Sequence, residues 1–216
     1  MACAVQLHGL ARSVYTRIVR LALEEKGVAY ALHEVEIFGP DGVPAVHLER
    51  HPFGRIPALE HGDLRLYETQ AITRYVDEAF QGPSLQPADA ARRARMNQII
   101  GVLDAYAYRP MVWGVVVPRM RPRPGERPDE AKIAEAMAAA ARALDALDAL
   151  VSGAPYLLGA PLTLADLHAW PVLSCFAFAP EGAVLLARHG VLQRWLQAMQ
   201  QRPSVQRTRS VFDPAH

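Results

Sequence analysis

The chain has 216 residues, 51% of them hydrophobic, and a formal charge of +1. That length supports one large or two small cores, and the balanced charge excludes the basic footprint by which a protein grips a phosphate backbone. Two cysteines, Cys3 and Cys175, make neither a CxxC pair nor a metal-ligand spacing, so no metal and no redox chemistry through a protein thiol is expected. No run of membrane-spanning length and no signal-like opening is read, which makes a reducing cytoplasm the expected setting.

Residues 4–8 alternate as a first strand, and a loop over 9–12 leads to Val14, Ile18, Leu21 and Ala22 at helical spacing, with Gly27 as the stop. Ser13 stands where loop meets helix, and its simplest role is an N-cap. Residues 29–37 form a second strand candidate that ends in Gly39-Pro40-Asp41-Gly42. Ala58-Leu59-Glu60, a turn at His61-Gly62-Asp63 and a run from Leu64 to Tyr67 predict a hairpin. At Glu68 and Thr69 the pattern changes to helical period, with Ala71, Ile72, Tyr75, Val76 and Ala79 on one face. The order is βαβ, a short helix or loop, then ββα, consistent with a right-handed crossover.

A carboxylate, a hydroxyl and free N–H groups at a helix start suit a ligand carrying both an amine and a carboxylate, such as an amino-acid end. Immediately upstream, the Ile56-Pro57 bond is open to the cis form, which costs only about 0.5–1 kcal/mol for proline and would turn the Ile56 backbone outward to pair with an extended peptide. The competing reading makes Glu68 and Thr69 a plain helix cap and Pro57 an ordinary strand-entry proline.

The segments His51-Pro52-Phe53-Gly54, Ile56-Pro57-Ala58-Leu59, Gly62-Asp63-Leu64, Tyr67-Glu68-Thr69 and Ala71-Ile72 together resemble the glutathione-binding core of the glutathione S-transferases, especially the serine-using phi-like class. The similarity runs over nearly the whole chain. It implies an α/β thioredoxin-like N-terminal domain followed by an all-α helical C-terminal domain, glutathione as cosubstrate, a role in detoxification and a two-fold homodimer. It also implies a cis Pro57, an Ile56 backbone paired with the cysteinyl part of glutathione, and a γ-glutamyl group held by Glu68 and Thr69. The run Ser13-Val14-Tyr15-Thr16-Arg17 followed by Leu21-Ala22-Leu23-Glu24-Glu25-Lys26-Gly27 resembles the family's serine-bearing first helix, which makes Ser13 the catalytic candidate and Tyr15 a wall residue. The Ser13 hydroxyl would donate to the bound sulfur while the helix N-terminus adds positive potential. Lowering a thiol pKa by about two units takes roughly 2.7 kcal/mol, within reach of those two effects without a general base.

Two departures alter the expected grip on the glycine carboxylate. Gly42-Val43 stands where the class has a His-Lys pair, and Arg55 where it has glutamine. Arg55 is either a bidentate partner for that carboxylate or a solvated surface charge, with His47 and His51 nearby in sequence to assist. Phe53, on the same loop, is a candidate anchor into a partner subunit.

Gly, Pro, Ser and Gln gather in residues 82–89, a linker between a glutathione-binding domain over 1–81 and a helical domain over 90–216. Asp89 caps a helix running toward Tyr106, which Pro110 should bend or end, and residues 118–128 alternate arginine and proline as an exposed loop. The alanine-rich stretch to Val151 is scaffold helix. Thr163 and Asp166 make a capping box before a buried helix, in a run that resembles the family's helical-domain core motif. Tyr15, Tyr106, Tyr108, Met111, Trp113 and Phe176 are candidates for an apolar second-substrate pocket.

The expected function is therefore a serine-type glutathione transferase that presents a thiolate to a small apolar electrophile, with no nucleic-acid or membrane partner. A glutathione-dependent peroxidase using the same site, or a non-catalytic ligand-binding or scaffold protein of this fold, are the alternatives.

Overall fold

Among the described residues, four short strands lie in the order β2-β1-β3-β4: β1 (Val5–His8), β2 (Tyr30–His33), β3 (Ala58–His61) and β4 (Leu64–Tyr67). β1 runs parallel to β2 and antiparallel to β3, and β3 pairs antiparallel with β4. This computed structural model describes residues 4–120, 127–151 and 154–213, so Cys3 and part of the arginine-proline stretch lie outside the described residues. The chain divides into two units, one running through Ser84 and including Pro203–Val211, the other formed chiefly by Leu85–Arg202.

In the first unit the strand period sorts the sheet into two faces. Val5, Leu7 and Leu59 are buried on one face, and Ile18, Leu21 and Ala22 of α1 (Val14–Glu25) and Ile72 and Val76 of α3 (Thr69–Ala79) are buried with them in the unit's core. The other face carries His8, His33, Glu60 and Arg65, beside the single turn α2 (Ala45–Leu48) and the loop that follows it. There Glu60 receives a hydrogen bond from His8 Nε2 at 2.9 Å and ion pairs with Arg50 and Arg65. Burial would raise the Glu60 carboxyl, but His8 and Arg50 outweigh it and hold the group below the ordinary glutamate value.

β2 is shorter than the 29–37 expected from the alternation. It is an edge strand whose neighbour β1 ends at His8, so residues beyond His33 have no ladder to join, apart from a contact between Val35 N and the Gly9 carbonyl. α1 stops as the sequence predicts, with Gly27 at φ +66 and its N–H on the Glu24 carbonyl. Buried Lys26 then ties three parts of the unit together, its Nζ donating to the Asp77 carboxylate at 3.2 Å and to the Asp77 and Pro83 carbonyls.

The second unit is all helix: α4 (Ala90–Val102), α5 (Val117–Met120), α6 (Glu130–Leu150), α7 (Leu164–Phe178), α8 (Pro180–Leu186) and α9 (Gly190–Gln200). Asp89 caps α4, accepting from Arg92 N at 2.8 Å. Pro110 does not end the helix that follows. The chain widens into π-helical turns over Leu103–Ala107 and Arg109–Val116, in which Tyr108 N–H bonds the Leu103 carbonyl and Val117 N–H the Val112 carbonyl. Wider turns of this kind absorb the N–H that proline lacks. This segment packs so closely on α6 that a Cβ on Gly114 would lie 2.5 Å from that of Ala136.

The capping box is present, and its carboxylate does more than cap. Asp166 is fully buried and accepts from Thr163 N and Leu157 N, both at 2.8 Å, from Thr163 Oγ1 at 3.0 Å and from Trp195 Nε1 at 2.9 Å. Burial pushes its pKa up, and these four donors oppose the shift. The last helix, α10 (Pro203–Arg207), belongs with the first unit, where Arg17 donates to the Val205 carbonyl and Ser204 bonds Glu25. No helix among the described residues is long and apolar enough to cross a membrane.

Candidate active site

The sheet register brings the sequence-predicted residues of the first unit to one end. His8, the last residue of β1, is opposite Ala58, the first of β3, and Ala58 is opposite Tyr67, the last of β4. The loop that leads to Ser13, the Ile56-Pro57 entry to β3 and the Glu68-Thr69 start of α3 therefore all emerge from the same edge of the sheet.

The loop before Ser13 is braced by Glu34, which accepts from Ala11 N at 3.0 Å, and by Glu36, which accepts from Arg12 Nη2 at 2.7 Å. Ser13 is the N-cap of α1, its Oγ accepting from Thr16 N at a long 3.4 Å. Accepting that bond uses a lone pair and leaves the hydroxyl proton free to donate. The first turn of α1 carries no acidic side chain to oppose the positive end of the helix dipole. Capping and thiol activation are thus compatible uses of one hydroxyl. Tyr15, on the same first turn, is half-buried.

The Ile56-Pro57 bond is cis, and Pro57 is buried while Ile56 is half-buried. His47, fully buried, donates from Nε2 to the Arg55 carbonyl at 2.7 Å and so fixes the loop just before the cis bond. His51 is buried as well, its ring 4.9 Å from that of Tyr67. Burial draws its imidazole below the ordinary histidine value; Glu68 opposes this, and His47 and Arg55 add to it. Sequence reasoning offered His47 as an assistant to Arg55 in gripping a carboxylate; its Nε2 is instead on the Arg55 carbonyl, a clamp that depends on the turn of α2 and that spacing alone does not specify.

Glu68 is the one non-glycine residue with positive φ among the described residues, at +68, and it is exposed. Its side chain makes no capping bond to α3, so the plain-cap reading does not account for it. Thr69 follows as the first helical residue and is buried. The opening N–H groups of α3 have no partners within the helix.

The aromatic candidates on the second unit are placed unequally. Met111 and Phe176 are completely buried in its core, whereas Tyr106 is 67% and Trp113 44% exposed. Trp113 Nε1 donates to the Tyr108 hydroxyl at 3.1 Å. Among the described residues, no group of three or more His, Cys, Asp or Glu side chains converges as a metal site.

Residues 7–84 match the model of the glutathione S-transferase N-terminal domain and residues 130–198 that of the C-terminal domain. Glutathione S-transferase 4 of Zea mays is 31% identical over 202 residues, which span 93% of this chain and 90% of that protein. The chain belongs to the glutathione S-transferase family. Its relatives include plant phi-class members: glutathione S-transferase F12 of Arabidopsis thaliana is 28% identical over 93% of this chain and 94% of that protein. The crystal structure of glutathione transferase F7 from Populus trichocarpa superposes with a TM-score of 0.82 at 28% identity, covering 95% of this chain and 97% of that one. Glutathione S-transferase I from maize, solved with an atrazine glutathione conjugate, superposes at 0.78 and 28% identity over 95% and 96% of the two chains. The protein is accordingly a glutathione transferase of the serine-using type, with glutathione as the nucleophile toward electrophiles.

Proposed function

We propose that Ser13 is the residue that ionises the glutathione thiol, and that the peptide lies along the sheet end defined above. Its γ-glutamyl amine meets the Glu68 carboxylate, its γ-glutamyl carboxylate meets Thr69 and the opening N–H groups of α3, and its cysteinyl backbone pairs with Ile56. The register of His8, Ala58 and Tyr67 carries this reading, because it brings three separate sequence segments to one edge. The Ser13 hydroxyl donates to the sulfur, the α1 N-terminus favours the negative charge, and the thiol proton leaves to solvent. The sulfur then forms a bond to an electrophilic carbon while that carbon releases its leaving group or accepts the electron pair into a conjugated acceptor. Tyr15, Tyr106 and Trp113, which keep exposed surface, are the residues proposed to meet an apolar electrophile.

The enzyme acts as a homodimer in the cytoplasm in this reading. Phe53, 70% exposed on the loop before the cis bond and edge-on to Tyr67 at 6.2 Å, supports an anchoring role of the kind a partner subunit would bury. The test of the catalytic proposal is an ultraviolet difference titration with glutathione at neutral pH, since a thiolate absorbs where a thiol does not. A saturable thiolate signal that is lost in Ser13→Ala is the expected result; an unchanged signal in the variant would remove Ser13 from the mechanism.

A further inference from the structure

Gly9 follows β1 directly and opens the loop that leads to Ser13. Its main chain is tied to the end of β2 and the residues beyond, its N–H donating to the His33 carbonyl at 3.0 Å and its carbonyl accepting from Val35 N at 3.3 Å. Its φ is not positive, so the backbone conformation is one that any residue adopts. Space is what excludes a side chain there. An added Cβ would lie 2.4 Å from Thr16 Oγ1, 3.0 Å from Thr16 Cγ2 and 3.3 Å from Thr16 Cβ.

Thr16 sits on the first turn of α1 and is completely buried, and its Oγ1 has no hydrogen-bond partner among the described residues. A buried hydroxyl without a partner costs stability, so polarity does not explain the side chain. Its stiff, branched shape does, by filling the space that Gly9 leaves. The N–H of the same residue donates to Ser13 Oγ at 3.4 Å. Thr16 thus meets the sheet-anchored loop with its side chain and the Ser13 hydroxyl with its main chain. An N–H bonded to a hydroxyl oxygen polarises the O–H and makes it the stronger donor. The bond is already long, so a small shift of the first turn ends it.

Resting on the assignment of Ser13 above, we propose that Thr16 is a positioning residue: locked against Gly9, it holds the first turn of α1 where its N–H polarises the Ser13 hydroxyl toward the glutathione sulfur. Being fully buried, Thr16 meets neither the peptide nor the electrophile. Its loss therefore acts on ionisation of the thiol and spares the grip on the peptide. The share of one neutral hydrogen bond is about threefold to tenfold in the thiolate-to-thiol ratio, which moves the midpoint of ionisation up by about 0.5–1 pH unit.

The experiment follows the ultraviolet thiolate signal of the saturated complex against pH, and measures glutathione affinity by calorimetry well below the midpoint, where the bound thiol is un-ionised. Thr16→Ala should raise the midpoint by about 0.5–1 pH unit and keep that acid-side affinity within about twofold. Thr16→Val, which keeps the branched shape, should recover most of the shift. Gly9→Ala should raise the midpoint, and Gly9→Ala combined with Thr16→Ala should lie closer to wild type than Gly9→Ala alone, because the added methyl enters space that the Thr16 side chain vacates. An unmoved midpoint in Thr16→Ala, with the signal lost in Ser13→Ala, would overturn the inference and leave the role of Ser13 standing. A midpoint as high in Thr16→Val as in Thr16→Ala would overturn it too, as would an acid-side affinity that falls as far as the thiolate ratio. A signal that survives Ser13→Ala would overturn the role of Ser13 and the inference together.

Discussion

Replacing Asp166 with alanine should destabilise the helical unit more than any other single carboxylate change. Among the described residues the carboxylate has no cation paired with it, and it holds four donors: two backbone N–H groups, one hydroxyl and the Trp195 indole. The Thr163 hydroxyl can rotate to another acceptor, but Leu157 N, Thr163 N and Trp195 Nε1 would remain buried without partners. At about 1–3 kcal/mol for each orphaned donor, the loss is at least about 3 kcal/mol. With a urea m-value of about 3 kcal/mol/M for a chain of this size, the midpoint should fall by about 1 M or more with m unchanged. Urea titrations followed by far-ultraviolet circular dichroism measure that shift. Trp195→Phe removes one donor and leaves the carboxylate its other three, so it should cost about 1 kcal/mol, and the two substitutions together should cost less than their sum. A loss below about 1 kcal/mol for Asp166→Ala would refute the argument, because water would then have replaced the carboxylate at little cost.

Two further outcomes follow from the first unit. Glu68→Gly should raise stability by about 1 kcal/mol, since glycine adopts φ +68 without strain, while weakening glutathione binding at least about tenfold through loss of the carboxylate; thermal denaturation and the thiolate titration report the two effects separately. Glu60→Gln should make stability less sensitive to acid. The folded value of Glu60 lies below its unfolded value, so its stabilising contribution is present above the unfolded pKa and is lost as pH falls through the depressed folded one. The wild-type advantage over the glutamine variant should thus be largest near neutral pH and vanish in acid, and an advantage independent of pH would contradict the pairing with His8 and Arg50.

Much of this was legible in the sequence where the deciding interaction is local. Gly27 stops α1, Ser13 caps it, the Gly62 turn closes the hairpin, and Thr163 and Asp166 form their box because each depends on residues a few positions apart. The length of β2 was not legible, since it is set by where a strand distant in sequence stops. Pro110 read as a bend or an end because proline cannot continue an α-helical ladder; the chain instead runs on through wider turns, in a segment where Gly114 approaches Ala136 closely. The return of Pro203–Val211 to the first unit left no mark in composition, and it rests on pairs such as Ser204 with Glu25. At the site, the family resemblance made Ser13, Ile56, Pro57, Glu68 and Thr69 the candidates, and the cis Ile56-Pro57 bond it implied is present, while the buried state of His47 and His51 depended on tertiary packing.

The distribution of indoles has a practical consequence. All three tryptophans, Trp113, Trp170 and Trp195, lie within the unit formed chiefly by Leu85–Arg202, and the rings of Trp170 and Trp195 meet edge to face at 6.4 Å. Indole emission, excited beyond the tyrosine absorption band, therefore reports the unfolding of the helical unit, with the two buried rings shifting to the red as water reaches them. The sheet unit carries tyrosines but no indole, and its melting is followed through its backbone. Superimposable emission and backbone curves would mean that the two units unfold as one cooperative body; curves that separate would give each unit its own stability from a single sample.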